Sequence, residues 1–104
     1  MTRFEEILRL RREERLRALD ALAMDVEAAV KARGQRSFTF GSFATRQVHA
    51  ASDLDVAIPG AMERGIRLAL IRDIERIQFQ HGIDVDVVFE DESPEFFEEV
   101  CRAD

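Results

Sequence analysis

The stretch Phe40-Gly41-Ser42-Phe43-Ala44-Thr45-Arg46-Gln47-Val48-His49-Ala50-Ala51-Ser52-Asp53-Leu54-Asp55-Val56-Ala57-Ile58 joins a Gly-Ser turn to an Asp-x-Asp pair at the head of an apolar strand. Side chains two apart in a strand share a face, so Asp53 and Asp55 project together, about 6–7 Å apart. Leu54, Val56 and Ile58 point the other way, which makes one face acidic and the other core. A second acidic strand, Ile83-Asp84-Val85-Asp86-Val87-Val88-Phe89, follows after one helix length. There Asp84, Asp86 and Val88 share a face opposite Val85, Val87 and Phe89. If the two strands are neighbours, three or four carboxylates converge on one patch, where they repel unless a cation stabilises them. Carboxylates acting with substrate phosphates are the ordinary way of holding Mg²⁺, which keeps few protein ligands. Gly41 lets backbone approach a phosphate closely, and Ser42 adds a hydroxyl and amides at a helix start.

Working outward, residues 3–33 read as helix. Leu16, Leu19, Ala23, Val26 and Val30 step by three and four, Leu22 and Ala29 widen the stripe, and Gly34 stops it behind Lys31 and Arg33. Arg9 to Arg15 is almost all charged, so the expectation there is either a helix that partly leaves the body or a break near residues 11–14. Arg36 to Phe40 alternates as a first strand, and Ser42 to Gln47 suits a short helix. The second strand, Asp53 to Ile58, is stopped by Pro59-Gly60. Ala61 to Gln80 is an amphipathic helix with Ile66, Leu70, Ile74 and Ile77 inward. After the third strand, Ser93-Pro94 starts a last helix with Phe96, Phe97 and Val100 as its apolar side.

At 104 residues the chain reads as one domain, residues 1–104. Its parts are a helical segment at about 3–33, a core at about 36–90 and a C-terminal helix at about 94–102. No apolar run approaches the roughly 20 residues of a membrane span. The N-terminus shows no apolar signal core, and the single cysteine, Cys101, excludes an internal disulfide. These features predict a cytoplasmic protein with no membrane contact.

A net charge of −6 argues against direct nucleic-acid binding. The charge is uneven. Residues 1–17 hold six Arg against four Glu, a net of about +2, whereas residues 83–104 hold nine acids against Arg102, a net of about −8. Solvated faces explain both ends, and contact with a partner chain is the alternative. His49 reads as a polar loop residue, His81 as a helix end, Cys101 as a small packing residue and Phe43 as core. Two distant histidines and one cysteine make no zinc site.

Gly41-Ser42, ten intervening residues and Asp53-Leu54-Asp55 resemble the GSx10DxD signature of the DNA polymerase β-type nucleotidyltransferase superfamily, and the short length points to its minimal, MNT-type branch. The resemblance covers roughly residues 16–100. It implies an α/β (α+β) fold with a small mixed sheet and helices packed on one face. It also implies that Asp53 and Asp55 hold two Mg²⁺ ions, and that a third Asp acts as general base and metal ligand. Asp86-Val87-Val88 matches that third position best, with Asp84 as runner-up. Gly41 and Ser42 bind the phosphates of ATP in this reading. One departure is Arg46, where many members have Gly: it acts either as an added phosphate clamp or as a restriction on the turn.

By resemblance, minimal members of this size are commonly antitoxins that adenylylate a tyrosine of a HEPN-type toxin partner. An acceptor presented by another folded protein suits a chain with no large segment after its third strand. The alternatives are a binding module that neutralises a partner by contact alone, and a small-molecule nucleotidyltransferase needing a second subunit.

Overall fold

The computed structural model describes residues 1–103. The chain runs α1 (Arg3–Ala32), β1 (Phe38–Phe40), α2 (Gly41–Ala44), β2 (Leu54–Ile58), α3 (Arg64–His81), β3 (Val85–Phe89) and α4 (Pro94–Ala103). The three strands form one mixed sheet in the order β1-β2-β3, with β1 antiparallel and β3 parallel to β2. This is the α+β arrangement expected, with several elements shorter than the sequence suggests. Residues 36–37 stay outside β1, and Asp53 and Ile83-Asp84 stand just ahead of their strands.

Helix α1 is continuous across residues 11–14. The segment contains neither Gly nor Pro, and the Arg9–Glu13 pair bridges it at 3.0 Å. Thr2 caps the start, its Oγ1 accepting from the Glu5 amide at 3.1 Å. The end follows from Gly34, whose left-handed backbone (φ 73°) lets its amide reach the Lys31 carbonyl at 2.9 Å. Packing, by contrast, covers only part of the helix. Leu19, Leu22, Val26 and Val30 are fully buried, while Phe4, Ile7, Leu8 and Leu10 are all exposed. The first half of α1 therefore projects beyond the body, as the first of the two sequence alternatives has it.

The core lies between the long helices and one face of the sheet. Leu70, Ile74 and Ile77 of α3 meet the α1 stripe over Leu54, Val56, Ile58, Val85 and Phe89. Two polar contacts tie the helices together: Arg33 to Asp73 at 3.0 Å and His81 Nε2 to Asp25 at 2.7 Å. Arg67 lies over the Phe89 ring, 5.4 Å from its centroid, and pairs with Asp91 and Glu92, fastening the turn that leads into α4.

Helix α4 rests on the opposite face. Phe97 meets Phe38 edge-on at 5.5 Å and Phe96 meets Phe40 at 6.3 Å. Phe38 and Phe40 are register partners of Ala57 and Asp55, so α4 covers the apolar end of the acidic face. Helices on one face thus describes α1 and α3, and α4 is added to the other. Phe97 and Val100 are buried there, whereas Cys101 is exposed, which corrects its reading as a packing residue. Among the described residues, no helix is long and apolar enough to cross a membrane.

Candidate active site

Strand pairing brings the carboxylates together. In the parallel β2–β3 ladder Asp55 stands opposite Asp86, so the two side chains leave the same face of the sheet as neighbours. Burial raises the Asp55 pKa above its ordinary 3.8, and the charges of Asp86 and Asp53 raise it further. Asp55 is half-buried, and Asp53 and Asp86 are exposed. Asp84 is exposed too, and it precedes β3; its charge is not among those acting on Asp55. The structure gathers Asp53, Asp55 and Asp86 and leaves Asp84 outside the group.

Among the described residues, none of these three acids pairs with Arg, Lys or His. Negative charge is thus concentrated without a protein cation, the condition under which a divalent metal ion is most favoured. As they stand, the His, Cys, Asp and Glu side chains among the described residues include no ready-made group of three around one point. Holding an ion requires the exposed Asp53 and Asp86 side chains to turn toward Asp55. Both side chains are exposed.

Gly41 begins α2 in a left-handed conformation (φ 71°), and a Cβ there would collide with Asp55 Oδ2 and lie 3.3 Å from its Cγ. The turn needs glycine on two counts: its backbone and the room it leaves for the carboxylate. That second reason was invisible in the sequence, which suggested only an approach to phosphate. Ser42 lies next to it, half-buried, its hydroxyl bonded to nothing among the described residues. Its carbonyl accepts from the Gln47 amide at 2.9 Å, closing the turn.

Arg46 also has a left-handed backbone, φ 61°. The sequence departure therefore falls where backbone geometry favours glycine. Its guanidinium lies 3.0 Å from Asp20 of α1 and 5.2 Å from the ring centroid of the buried Phe43. In this conformation it braces α2 against α1 and does not reach toward the carboxylates. Phe43 is core, as expected.

The loop before Asp53 is held from inside. Ser52 is buried, its Oγ accepting from the His49 amide at 2.8 Å, while His49 Nδ1 accepts from the Ala51 amide at 3.1 Å. His49 is thus a loop residue, and Ser52 is a positioning residue that sequence reading missed. A buried serine next to the acidic pair was the available signal.

A family model for the nucleotidyltransferase domain matches residues 19–102. The chain belongs to this family. The match supports the polymerase β-like superfamily and nucleotidyl transfer in general, and it begins at Leu19, where α1 enters the body of this nucleotidyltransferase domain. No curated protein and no solved structure matches the chain.

Proposed function

We propose that this nucleotidyltransferase moves AMP from ATP to a tyrosine of a HEPN-type toxin partner, and so acts as that partner's antitoxin. The observation that carries the reading is the gathering of Asp53, Asp55 and Asp86, without a protein cation, beside the Gly41-Ser42 turn.

In this reading Asp53, Asp55 and Asp86 hold two Mg²⁺ ions, which supply charge neutralisation at the phosphates when bound. The chain's own residues do the rest. The free Ser42 hydroxyl and the start of α2 bind the terminal phosphates. Asp86 accepts the phenolic proton as the tyrosine oxygen bonds to the α-phosphorus. The bond from that phosphorus to the bridging oxygen breaks, and pyrophosphate leaves. Asp55, half-buried beside the other two acids, completes the carboxylate set. The open face on which the acids stand suits an acceptor carried on the surface of another protein.

One observation favours a second reading, neutralisation of the partner by contact alone. Arg46 is engaged with Asp20 and Phe43 and so offers no clamp for phosphate.

Intact mass of a co-purified helical partner, after incubation with ATP and Mg²⁺, separates the two. Added AMP units that disappear in Asp53→Asn and Asp86→Asn support transfer. Neutralisation that persists in both variants without added mass supports contact.

A further inference from the structure

Phe4, Ile7, Arg11, Glu14, Ala18 and Ala21 of α1 recur at alternate steps of three and four residues. That spacing keeps a seam along one side of a helix, suited to pairing with a second helix. The seam is rotated away from the buried stripe of Leu19, Leu22, Val26 and Val30; where α1 meets the body Ala21 is exposed and Ala18 is half-buried against the core. The seam is also graded. Its first third is large and apolar, with Phe4 69% and Ile7 41% exposed. Its middle is charged: Arg11 and Glu14 are exposed and make no ion pair among the described residues. Its last third, Ala18 and Ala21, is small, and Ala18 borders a groove of about 420 Å³ with Arg11, Glu14, Arg15 and Ala50. Arg15 fixes the groove's wall, its Nε donating to the Ala50 carbonyl at 2.8 Å.

We propose that this seam pairs with the same seam of a second copy of the chain, the two helices running antiparallel. An order of large, charged, small becomes self-complementary when reversed. Phe4 then meets the partner's Ala21, Ile7 meets the partner's Ala18, and Arg11 meets the partner's Glu14, each contact occurring twice about the two-fold axis. The groove beside Ala18 receives the apolar tip. The exposed Leu8 and Leu10 flank the seam and are covered with it. The overlap, residues 4–21, spans about 27 Å of helix. Because the packed part of α1 lies in its second half, the two bodies sit toward opposite ends of the pair. A parallel pairing would instead set Arg11 against Arg11 and bring the bodies side by side.

Sedimentation equilibrium of the full chain tests the pairing. The native protein is expected to dimerise. Arg11→Glu and Glu14→Arg alone should each raise the dissociation constant roughly tenfold or more, since like charges then face each other twice. The double variant should return it to within about threefold of the native value, because the ion pairs re-form with reversed sign. Melting curves that match the native one at a concentration where all the proteins are monomeric confirm that the body is intact. A native chain that stays monomeric at every concentration overturns the proposal, as does a dimer indifferent to the single reversals. So does a monomer whose Phe4 and Ile7 face is needed only to bind a different helical protein.

Discussion

Asp55 and Asp86 stand level with one another in adjacent parallel strands, close enough for the charge of Asp86 to act on Asp55. The proximity raises the Asp55 pKa above 3.8 through burial first and the charges of Asp86 and Asp53 next. The native state therefore holds its proton more tightly than the unfolded chain. Stability contributed by that proton is complete below pH 3.8 and is lost as pH rises through the raised native value. Asp55→Asn should accordingly melt higher than the native protein at neutral pH without metal, and the gap should close on acidification below the carboxylate range. Thermal melts across pH check this. An Asn variant less stable at pH 7 would show that the carboxylate repulsion is already relieved.

Mg²⁺ or Mn²⁺ should reverse that ranking. A cation that binds only the folded state raises the melting temperature further the more its concentration exceeds its dissociation constant, so the native chain should gain and Asp55→Asn should gain little. Equal shifts in the two proteins would detach the ion from these acids.

Gly41→Ala carries two separable penalties. The left-handed backbone costs about 1–2 kcal/mol for a residue with a Cβ, and the clash with Asp55 adds to it. In an Asp55→Ala background the collision is absent while the backbone cost remains. Urea denaturation of the four proteins forms a double-mutant cycle, and a positive coupling is expected. Additive losses would mean that Gly41 serves the backbone alone.

Ser42→Ala should leave stability within about 0.5 kcal/mol, since its hydroxyl has no partner to lose. ATP affinity in Mg²⁺ should fall roughly tenfold, the worth of one charge-assisted hydrogen bond. Calorimetric titration measures both proteins on one scale.

Arg46→Gly tests the departure from the family's turn. Glycine removes about 1–2 kcal/mol of left-handed strain. Losing the half-exposed pair with Asp20 costs about 0–1 kcal/mol, and losing the contact with Phe43 a similar amount. Stability should stay within about 1 kcal/mol of native on these offsetting terms. Tighter ATP binding in the variant would identify Arg46 as a restriction, and weaker binding as a clamp.

The sheet and its acidic face were legible because the alternation of Asp53 to Ile58 and of Asp84 to Phe89 fixes which side chains share a face whatever the strand order. Core positions of α1 and α3 were legible for the same reason at helical spacing. Pair distances between elements were not. Asp86 is separated from Asp84 as the third acid by the β2–β3 register and by where β3 begins, neither of which periodicity determines. The relation of Gly41 to Asp55, the Arg46–Asp20 brace and the seating of α4 on the acidic face all depend on how the elements pack. Cys101 was misread because the apolar side of α4 is narrower than its sequence suggests, with Phe97 and Val100 filling it.

The parallel pairing of β2 with β3 also sets when the candidate site comes into being. Asp53 and Asp55 are synthesised before Asp86, and α3 lies between β2 and β3 in the chain. Closing so long a connection is slow relative to closing the shorter one between β1 and β2. A nascent or half-folded chain thus carries the turn and two acids but not the third. With Asp86 in the role proposed above, the chemistry is withheld until the last strand arrives, so any copy able to react has already completed its sheet.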